Sequence, residues 1–248
     1  MLSTIIITKN CAHTLQACLD SVQPISHEII VVDSNSTDNT VEICRRYTSQ
    51  IIQTQTWPGF GPQKQLALDH AQGPWVLSID SDEILTPACQ QAILTTMKAP
   101  RHSAYRIKRV MIFAGQVVAH SACSDAPVRL FKKDSANFSP DLVHESVLTT
   151  SSVGKINQPM WHYSYSSIGH WIEKMNTYST LSGQKKTKKY HSVSYAVFTA
   201  SLRFWKVLIL KRGFLDGRLG IVAAINAAVA AYYKYLKLAL DPQFQPPK

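Results

Sequence analysis

Two short apolar runs that each end in a carboxylate restrict this chain more than any other feature. Ile29-Ile30-Val31-Val32 leads into Asp33, and Trp75-Val76-Leu77-Ser78-Ile79 leads into Asp80. A run that is apolar at consecutive positions suits a strand buried on both faces, as in a parallel sheet covered by helices. Leu2–Thr8 reads as a further strand, and 51–55 as another. Helix-patterned stretches near 13–22, 38–47, 62–71 and 87–97 alternate with them. Repetition of strand and helix at this spacing predicts parallel crossover units and an α/β, doubly wound sheet.

The rhythm changes after residue 100. Tyr105, Ile107, Arg109 and Met111 recur at period two, the pattern of a half-exposed strand, and 128–131 and 142–148 read as further short strands. This middle third is therefore mixed or antiparallel. From Ser166 onward the pattern is helical, with helices expected over 169–189, 194–211 and 215–240, and with Gly213 placed as a helix stop. The division expected is a domain over 1–165, in two parts that meet near residue 100. A helical region over 166–242 and a flexible tail over 243–248 complete it.

Composition narrows the class. Five scattered cysteines, none at metal-ligand spacing, argue against a disulfide framework and fit reduced thiols in the cytoplasm. The N-terminus shows no basic n-region, and the longest apolar candidate, 219–240, is interrupted by Lys234 and Lys237, so no spanning helix is expected. The net charge of +10 is carried by the last quarter, where twelve Lys/Arg from Lys185 onward face only Asp216 and Asp241. Such a basic region implies an anionic partner, whether nucleic acid, anionic lipid or a phosphorylated glycan.

In open parallel sheets, ligands bind beyond the carboxyl ends of the strands. Two acidic clusters fall there: Asp33-Ser34-Asn35-Ser36-Thr37-Asp38, and Asp80-Ser81-Asp82-Glu83. Crowded carboxylates repel unless a cation or protons intervene. In an extended segment Asp80 and Asp82 point the same way and address one hard cation, Mg2+ or Mn2+, shared with substrate phosphates. The plainer alternative is that Asp80 ends a strand and Ser81 or Asp82 caps the next helix. An acid at Asp38 suits the first turn of a helix equally well. Glu145 stands beside His144 within an apolar strand pattern, where an acid is hard to explain structurally, and Asp125 precedes Pro127 and Arg129, where a turn or a salt bridge is reason enough. Lys64 and Gln63 precede a helix, where a solvated face is the plain reading. Arg129 pairs with a phosphate or with Asp125. Among other enzyme classes, a dinucleotide-dependent oxidoreductase is disfavoured, because Lys9-Asn10-Cys11 stands where a Gly-rich turn belongs.

These motifs resemble family 2 glycosyltransferases of the GT-A, or nucleotide-diphospho-sugar transferase, fold, here with a C-terminal helical extension. Downstream, Val128-Arg129-Leu130-Phe131, Val143-His144-Glu145, His162-Tyr163-Ser164-Tyr165, Asn176-x-Tyr178-Ser179 and Arg212-Gly213-Phe214-Leu215-Asp216-Gly217 occur in that order. The order is similar to that of bacterial lipopolysaccharide inner-core glucosyltransferases, which attach β-1,4-glucose to heptose. The resemblance implies an inverting hexosyltransferase using UDP-glucose, with Thr8, Asn10, Asp33, Asp38, Lys64, Asp80 and Arg129 toward the donor. Asp80, Asp82 and His162 would hold the metal, and Glu145 or Asp125 would act as base. It implies a lipopolysaccharide-core or other lipid-linked acceptor. Aromatic and basic residues over 198–212 suit an anionic inner-membrane surface on its cytoplasmic face. A polyprenyl-phosphate sugar transferase is the nearest rival. A nucleic-acid-binding module is the rival from another class, and no nucleic acid is expected because the acidic clusters would repel a phosphate backbone.

Overall fold

The structure, a computed structural model, describes residues 1–121, 125–140, 146–184 and 192–241, with side chains throughout except at 181–184. The chain divides into two compact units. One comprises residues 1–110 and 125–163, the other residues 111–124 and 164–248.

The first unit opens with β1 (Leu2–Thr8), α1 (Ala12–Val22), β2 (Glu28–Asp33), α2 (Thr40–Arg45), β3 (Ile51–Gln53), α3 (Phe60–His70) and β4 (Trp75–Asp80). It continues through β5 (Glu83–Leu85), α4 (Pro87–Lys98) and β6 (Ala104–Phe113), which runs on into the second unit and precedes β7 (Gln116–Val118) there. Then come β8 (Val128–Lys132), β9 (Asn137–Phe138), β10 (Val147–Leu148) and β11 (Val153–His162). Among the described residues the main sheet has the order β3-β2-β1-β4-β8-β6-β11-β5, with β7 added beside β6, while β9 and β10 form a separate pair. β3, β2, β1 and β4 are parallel, and β8, β6, β5 and β7 pair antiparallel with their neighbours. A parallel half joined to an antiparallel half is what the change of rhythm near residue 100 predicts.

Side-chain alternation sorts the core onto two faces. Ile6, Ile29, Val31, Leu77 and Ile79 pack with Leu15, Leu19, Ile43 and Ile93 of α1, α2 and α4. Ile5, Ile7, Ile30, Val32 and Val76 pack with Ala67 and Leu68 of α3. Each such side chain, when fully buried, contributes about 1.5–3 kcal/mol of transfer free energy. That burial on both faces explains why the run from Ile29 to Val32 has no polar interruption. Cys11, Cys18, Cys44 and Cys89 are unpaired and buried. Burial pushes the Cys44 and Cys89 thiols up to about 12, so neither is a reactive thiolate at neutral pH. Cys123 and the tail 243–248 lie outside the described residues.

The second unit contains α5 (Ile168–Gln184), α6 (Val193–Trp205) and α7 (Gly217–Leu240), with a π-helical turn over Lys206–Leu210 and a 3-10 turn over Gly213–Asp216 between the last two. Its core joins Met111, Phe113, Val118, Trp171 and Ala223. Gly213 is not the left-handed stop that its position suggests. Arg212 takes that conformation, with φ of 59°, and Gly213 serves close packing instead. A Cβ on Gly213 would lie 2.7 Å from the Val207 carbonyl, and one on Gly220 would lie 1.8 Å from the Gly213 carbonyl. Asp216 closes the same turn. Its carboxylate accepts from the backbone N–H groups of Ala119 (3.1 Å), His120 (3.0 Å) and Ser121 (2.7 Å), and from Ser121 Oγ (2.6 Å).

The expectation that no helix reaches spanning length is corrected. The segments Val193–Leu210 (18 residues) and Gly213–Leu240 (28 residues) are each long and apolar enough to cross a membrane, by length and composition alone. Lys234 and Lys237 do not break the second, because both fall in its last two turns. Lys237 Nζ is satisfied by Asn176 Oδ1 (2.6 Å), Ser179 Oγ (2.8 Å) and Thr180 Oγ1 (2.8 Å) of α5.

Two outcomes follow. Gly220→Ala should destabilise the chain by about 1–3 kcal/mol or more in chemical denaturation, since the obstacle is backbone. Gly169→Ala, whose new Cβ would meet only Ser167 Oγ at 3.7 Å, should be neutral or stabilising by up to about 1 kcal/mol. Burial pushes the Asp216 carboxyl up, but the Ser121 hydroxyl and the three N–H groups outweigh it and hold its pKa below the ordinary value. A lowered folded pKa contributes stability above the unfolded value of about 3.9 that disappears as pH falls through the folded one. Asp216→Asn should therefore cost about 1 kcal/mol at neutral pH, after allowance for partial exposure, and the gap to the parent should close below about pH 4.

Candidate active site at the carboxyl edge of the sheet

Strand register assembles the site. Thr8 stands opposite Asp33 in the β1–β2 pair, and Ile7 stands opposite Asp80 in the β1–β4 pair. With strands about 4.8 Å apart, Asp33 and Asp80 sit two spacings apart, roughly 10 Å, along one edge. That edge is where the order 3-2-1-4 changes direction, the position at which open sheets bind ligands.

The Asp33 end is a stitched pair of loops. Asp33 is buried, and its carboxylate accepts from Thr8 Oγ1 (2.8 Å), Ser36 Oγ (2.6 Å) and Ser36 N–H (2.9 Å). Asn10, in the left-handed region with φ of 49°, accepts from Thr37 N–H at 2.8 Å and gives its own N–H to Ser36 Oγ at 2.9 Å. Asp38 accepts from Ala12 N–H (3.2 Å) and Thr40 N–H (3.0 Å), tying the starts of α1 and α2 together. These bonds give Asp38 a sufficient structural reason, and neither Ser36 nor Thr37 caps α2, whose flanking residue is Asn39.

The Asp80 end differs from the sequence expectation in one decisive way. Asp80-Ser81-Asp82 is not extended: β4 stops at Asp80, a turn occupies Ser81 and Asp82, and β5 starts at Glu83. The Glu83 carboxylate accepts from Asp80 N–H at 2.9 Å, closing that turn. Repulsion among the acids is relieved by the protein's own cations. Lys64 Nζ lies 2.7 Å from Asp80 Oδ1, and Arg129 Nη2 bridges Asp80 Oδ2 and Glu83 Oε1. Arg109 reaches Glu83 Oε1 at 3.1 Å and grips Asp125 with two bonds of 2.8 and 2.6 Å. Lys64 is 2% exposed, so its charge belongs to this network and not to a solvated helix face. Of the alternatives for Arg129, the Asp125 pairing is not the one formed: Arg129 bonds to Asp80 and Glu83, and Arg109 takes Asp125.

Burial pushes both Asp80 and Glu83 upward. Arg129 and Lys64 overcome it at Asp80, which is held well below the usual carboxylate range. Glu83 stays above its ordinary value, because the Asp80 charge opposes what Arg129 and Arg109 supply. Burial also raises Asp125, but the Arg109 bonds prevail and leave it low.

Outside this network stands a second pair. His162 ends β11, and the β11–β5 register sets it opposite Glu83, with its Nε2 3.3 Å from Asp82 Oδ2. Tyr163 N–H donates to the Asp82 carbonyl at 2.8 Å, fixing the turn to the strand end. One carboxylate and one imidazole form a mixed O/N donor pair. That pair fits a divalent cation which takes its remaining ligands from water and substrate phosphates, as Mg2+ and Mn2+ do. Among the described residues no group of three or more His, Cys, Asp or Glu is arranged to hold a metal ion. Glu145 and His144 lie outside the described residues. Arg109 is the participant that sequence reasoning missed. Its period-two placement marked the strand but not the partner.

Removing Arg129 takes from buried Glu83 and half-buried Asp80 the cation that bonds to both, a change that typically costs about 3–5 kcal/mol. Arg129→Ala should show that loss in chemical denaturation, and Asp82→Ala, at a partly exposed position outside the network, should cost under about 1 kcal/mol.

Residues 3–137 match the family described as Glycosyl transferase family 2. A Rickettsia prowazekii protein described as an uncharacterized glycosyltransferase is 33% identical over 252 residues, covering 96% of this chain and 86% of that one. The lipopolysaccharide core biosynthesis glycosyltransferase LpsC of Rhizobium meliloti is 25% identical, covering 96% and 91%. The crystal structure of S. aureus TarS 1-349 in complex with UDP superposes with a TM-score of 0.50 at 15% identity, covering 95% of this chain and 90% of that one, a likeness of fold alone. The acidic edge of a mixed sheet, a family match over more than half the chain and a close relative along its whole length agree: this chain belongs to glycosyl transferase family 2 and is a glycosyltransferase of the GT-A fold.

Proposed function

We propose that the chain moves a hexose, with UDP-glucose as donor, onto a lipopolysaccharide inner-core sugar with inversion. The observation that carries the reading is the separation of duties along one sheet edge. Asp80 is neutralised internally, and Asp82 pairs with His162 next to it, which is where this reading puts the cation. The resemblance to LpsC over nearly the whole of both chains supports the acceptor class.

Asp33 holds the Ser34–Thr37 loop. With three of about four acceptor directions used, it keeps one for an N–H of the donor's base. Thr8 and Asn10 fix the same loop, and Lys64 and Arg129 keep Asp80 ionised toward the donor. Asp82 and His162 hold the divalent ion, which, when bound, neutralises charge on the departing diphosphate. The acceptor hydroxyl needs a base on the face opposite the leaving group. Asp125 suits that task poorly, because the two Arg109 bonds depress its basicity. Glu145 is the base in this reading. The enzyme works at the cytoplasmic face of the inner membrane, where a lipid-linked acceptor is met. The two long apolar helices also favour a second reading, a polyprenyl-phosphate acceptor on the same donor site.

A screen of UDP-sugars against truncated lipopolysaccharide and polyprenyl-phosphate acceptors, with and without Mn2+, tests the proposal. UDP-glucose with the truncated core should be the productive pair, and transfer to polyprenyl phosphate alone would establish the rival. Asp82→Ala should lower metal-dependent donor turnover by about 10²–10³. Glu145→Gln should keep donor binding and lose about 10²–10⁴ in transfer, whereas Asp125→Asn should stay within about tenfold. The reverse order for the two acids would move the base to Asp125.

A further inference from the structure

The turn between α6 and α7 concentrates exposed apolar surface at one end of a helical hairpin. Tyr195 of α6 and Tyr235 of α7 meet edge to face at 5.0 Å, so the two helices run antiparallel, with the chain reversing at the far end. At that apex Leu210 is 77% exposed and Trp205 58%, and Ile209, Phe214 and Leu215 are more than half exposed. Among the described residues nothing covers this surface, which is uncommon for neighbouring large apolar side chains. Charge surrounds it: Lys206, Lys211, Arg212 and Arg218 are all exposed there. The acid of the same turn, Asp216, is occupied by the 119–121 backbone and Ser121.

From this juxtaposition we propose that the apex, residues 205–215, is a wedge that inserts into the outer part of an anionic phospholipid bilayer, with the basic residues gripping headgroups. Three observations select that occupant and depth. The cationic collar complements an anionic surface, not a second copy of the same positive hairpin. A tryptophan at the apex suits the level of the headgroups. Lys206, Lys211 and Arg212 interrupt the apex at intervals too short for passage through hydrocarbon, but long basic side chains reach back to headgroups from a shallow insertion of about 5–10 Å. The two helices therefore meet the length and composition test for spanning, yet the hairpin enters from one side only. The compact turn, with Gly220 against the Gly213 carbonyl, keeps the apex narrow. The inference builds on the lipid-linked acceptor proposed above and adds the segment and manner by which the enzyme holds the surface.

Flotation of the full chain with vesicles tests it, using phosphatidylethanolamine with phosphatidylglycerol against phosphatidylcholine alone. The chain should float with the anionic vesicles, bind neutral ones at least about tenfold less, and be released by alkaline carbonate. Leu210→Asp/Phe214→Asp should lose flotation by at least about tenfold while keeping parental Mn2+-dependent UDP-sugar hydrolysis, which also shows that the variant is folded. Lys206→Glu/Lys211→Glu leaves the apolar apex intact and should lose the preference for anionic vesicles. Retention after carbonate would overturn the wedge in favour of a spanning hairpin. Absence of flotation together with an apex-dependent dimer in sedimentation would assign the surface to a second copy. Flotation without UDP-sugar turnover would sink the donor reading and leave this one standing, and turnover without flotation would do the opposite.

Discussion

Neutralisation of Asp80 and Glu83 by Lys64, Arg129 and Arg109 is the interaction on which the rest of this site depends. Bringing carboxylates to the end of buried β4 costs several kcal/mol per ion unless partners come with them. The partners come from three distant places: Lys64 on α3, Arg109 on β6 and Arg129 on β8. The network therefore joins the parallel and antiparallel halves of the sheet by charge as well as by the β4–β8 ladder. With Asp125 included, three cations face three acids, so the cluster needs no outside ion to exist. Asp82 is thereby released from a structural duty, and its position beside His162 becomes informative.

The acidic edge of the sheet was largely legible from residue patterns, and the reasons are local. β2 and β4 end where their apolar runs end, and the polar residues buried within β1 and β4 (Ser3, Thr4 and Ser78) are small and uncharged. Asp33 and Asp80 end those strands, and each carboxylate is met there by internal partners: Thr8 and Ser36 for the first, Lys64 and Arg129 for the second. What was not legible depended on pairing across the chain. β5 is three residues long, and β11 carries Pro159 inside it, which weakens any strand pattern, yet their register is what sets His162 opposite Glu83. The direction in which Lys64 points, the turn at Ser81 and Asp82, and the grip of Arg109 on Asp125 all follow from such long-range partners. No spacing rule contains them.

The helical unit teaches the same lesson. Arg212-Gly213-Phe214-Leu215-Asp216-Gly217 looks like a stop signal followed by a loop, and its placement between helices is correct. Its physics lies elsewhere: a left-handed arginine, a glycine pressed against another glycine, and an aspartate whose bonds reach back to residues 119–121. Counting Lys237 as an interruption missed that three α5 side chains receive its ammonium. A charge inside an apolar helix marks the face that has a partner.

The central claim is that internal cations satisfy Asp80 and Glu83, so that Asp82 and His162 form only half of a cation site and the sugar donor's diphosphate supplies the rest. Calorimetric titration of Mn2+ into the full chain, with and without saturating UDP, tests it most directly. The account predicts weak Mn2+ binding alone and at least about a tenfold gain with UDP, a gain that UDP must return in reciprocal measure. Tight Mn2+ binding without nucleotide, or UDP affinity indifferent to the metal, would contradict it.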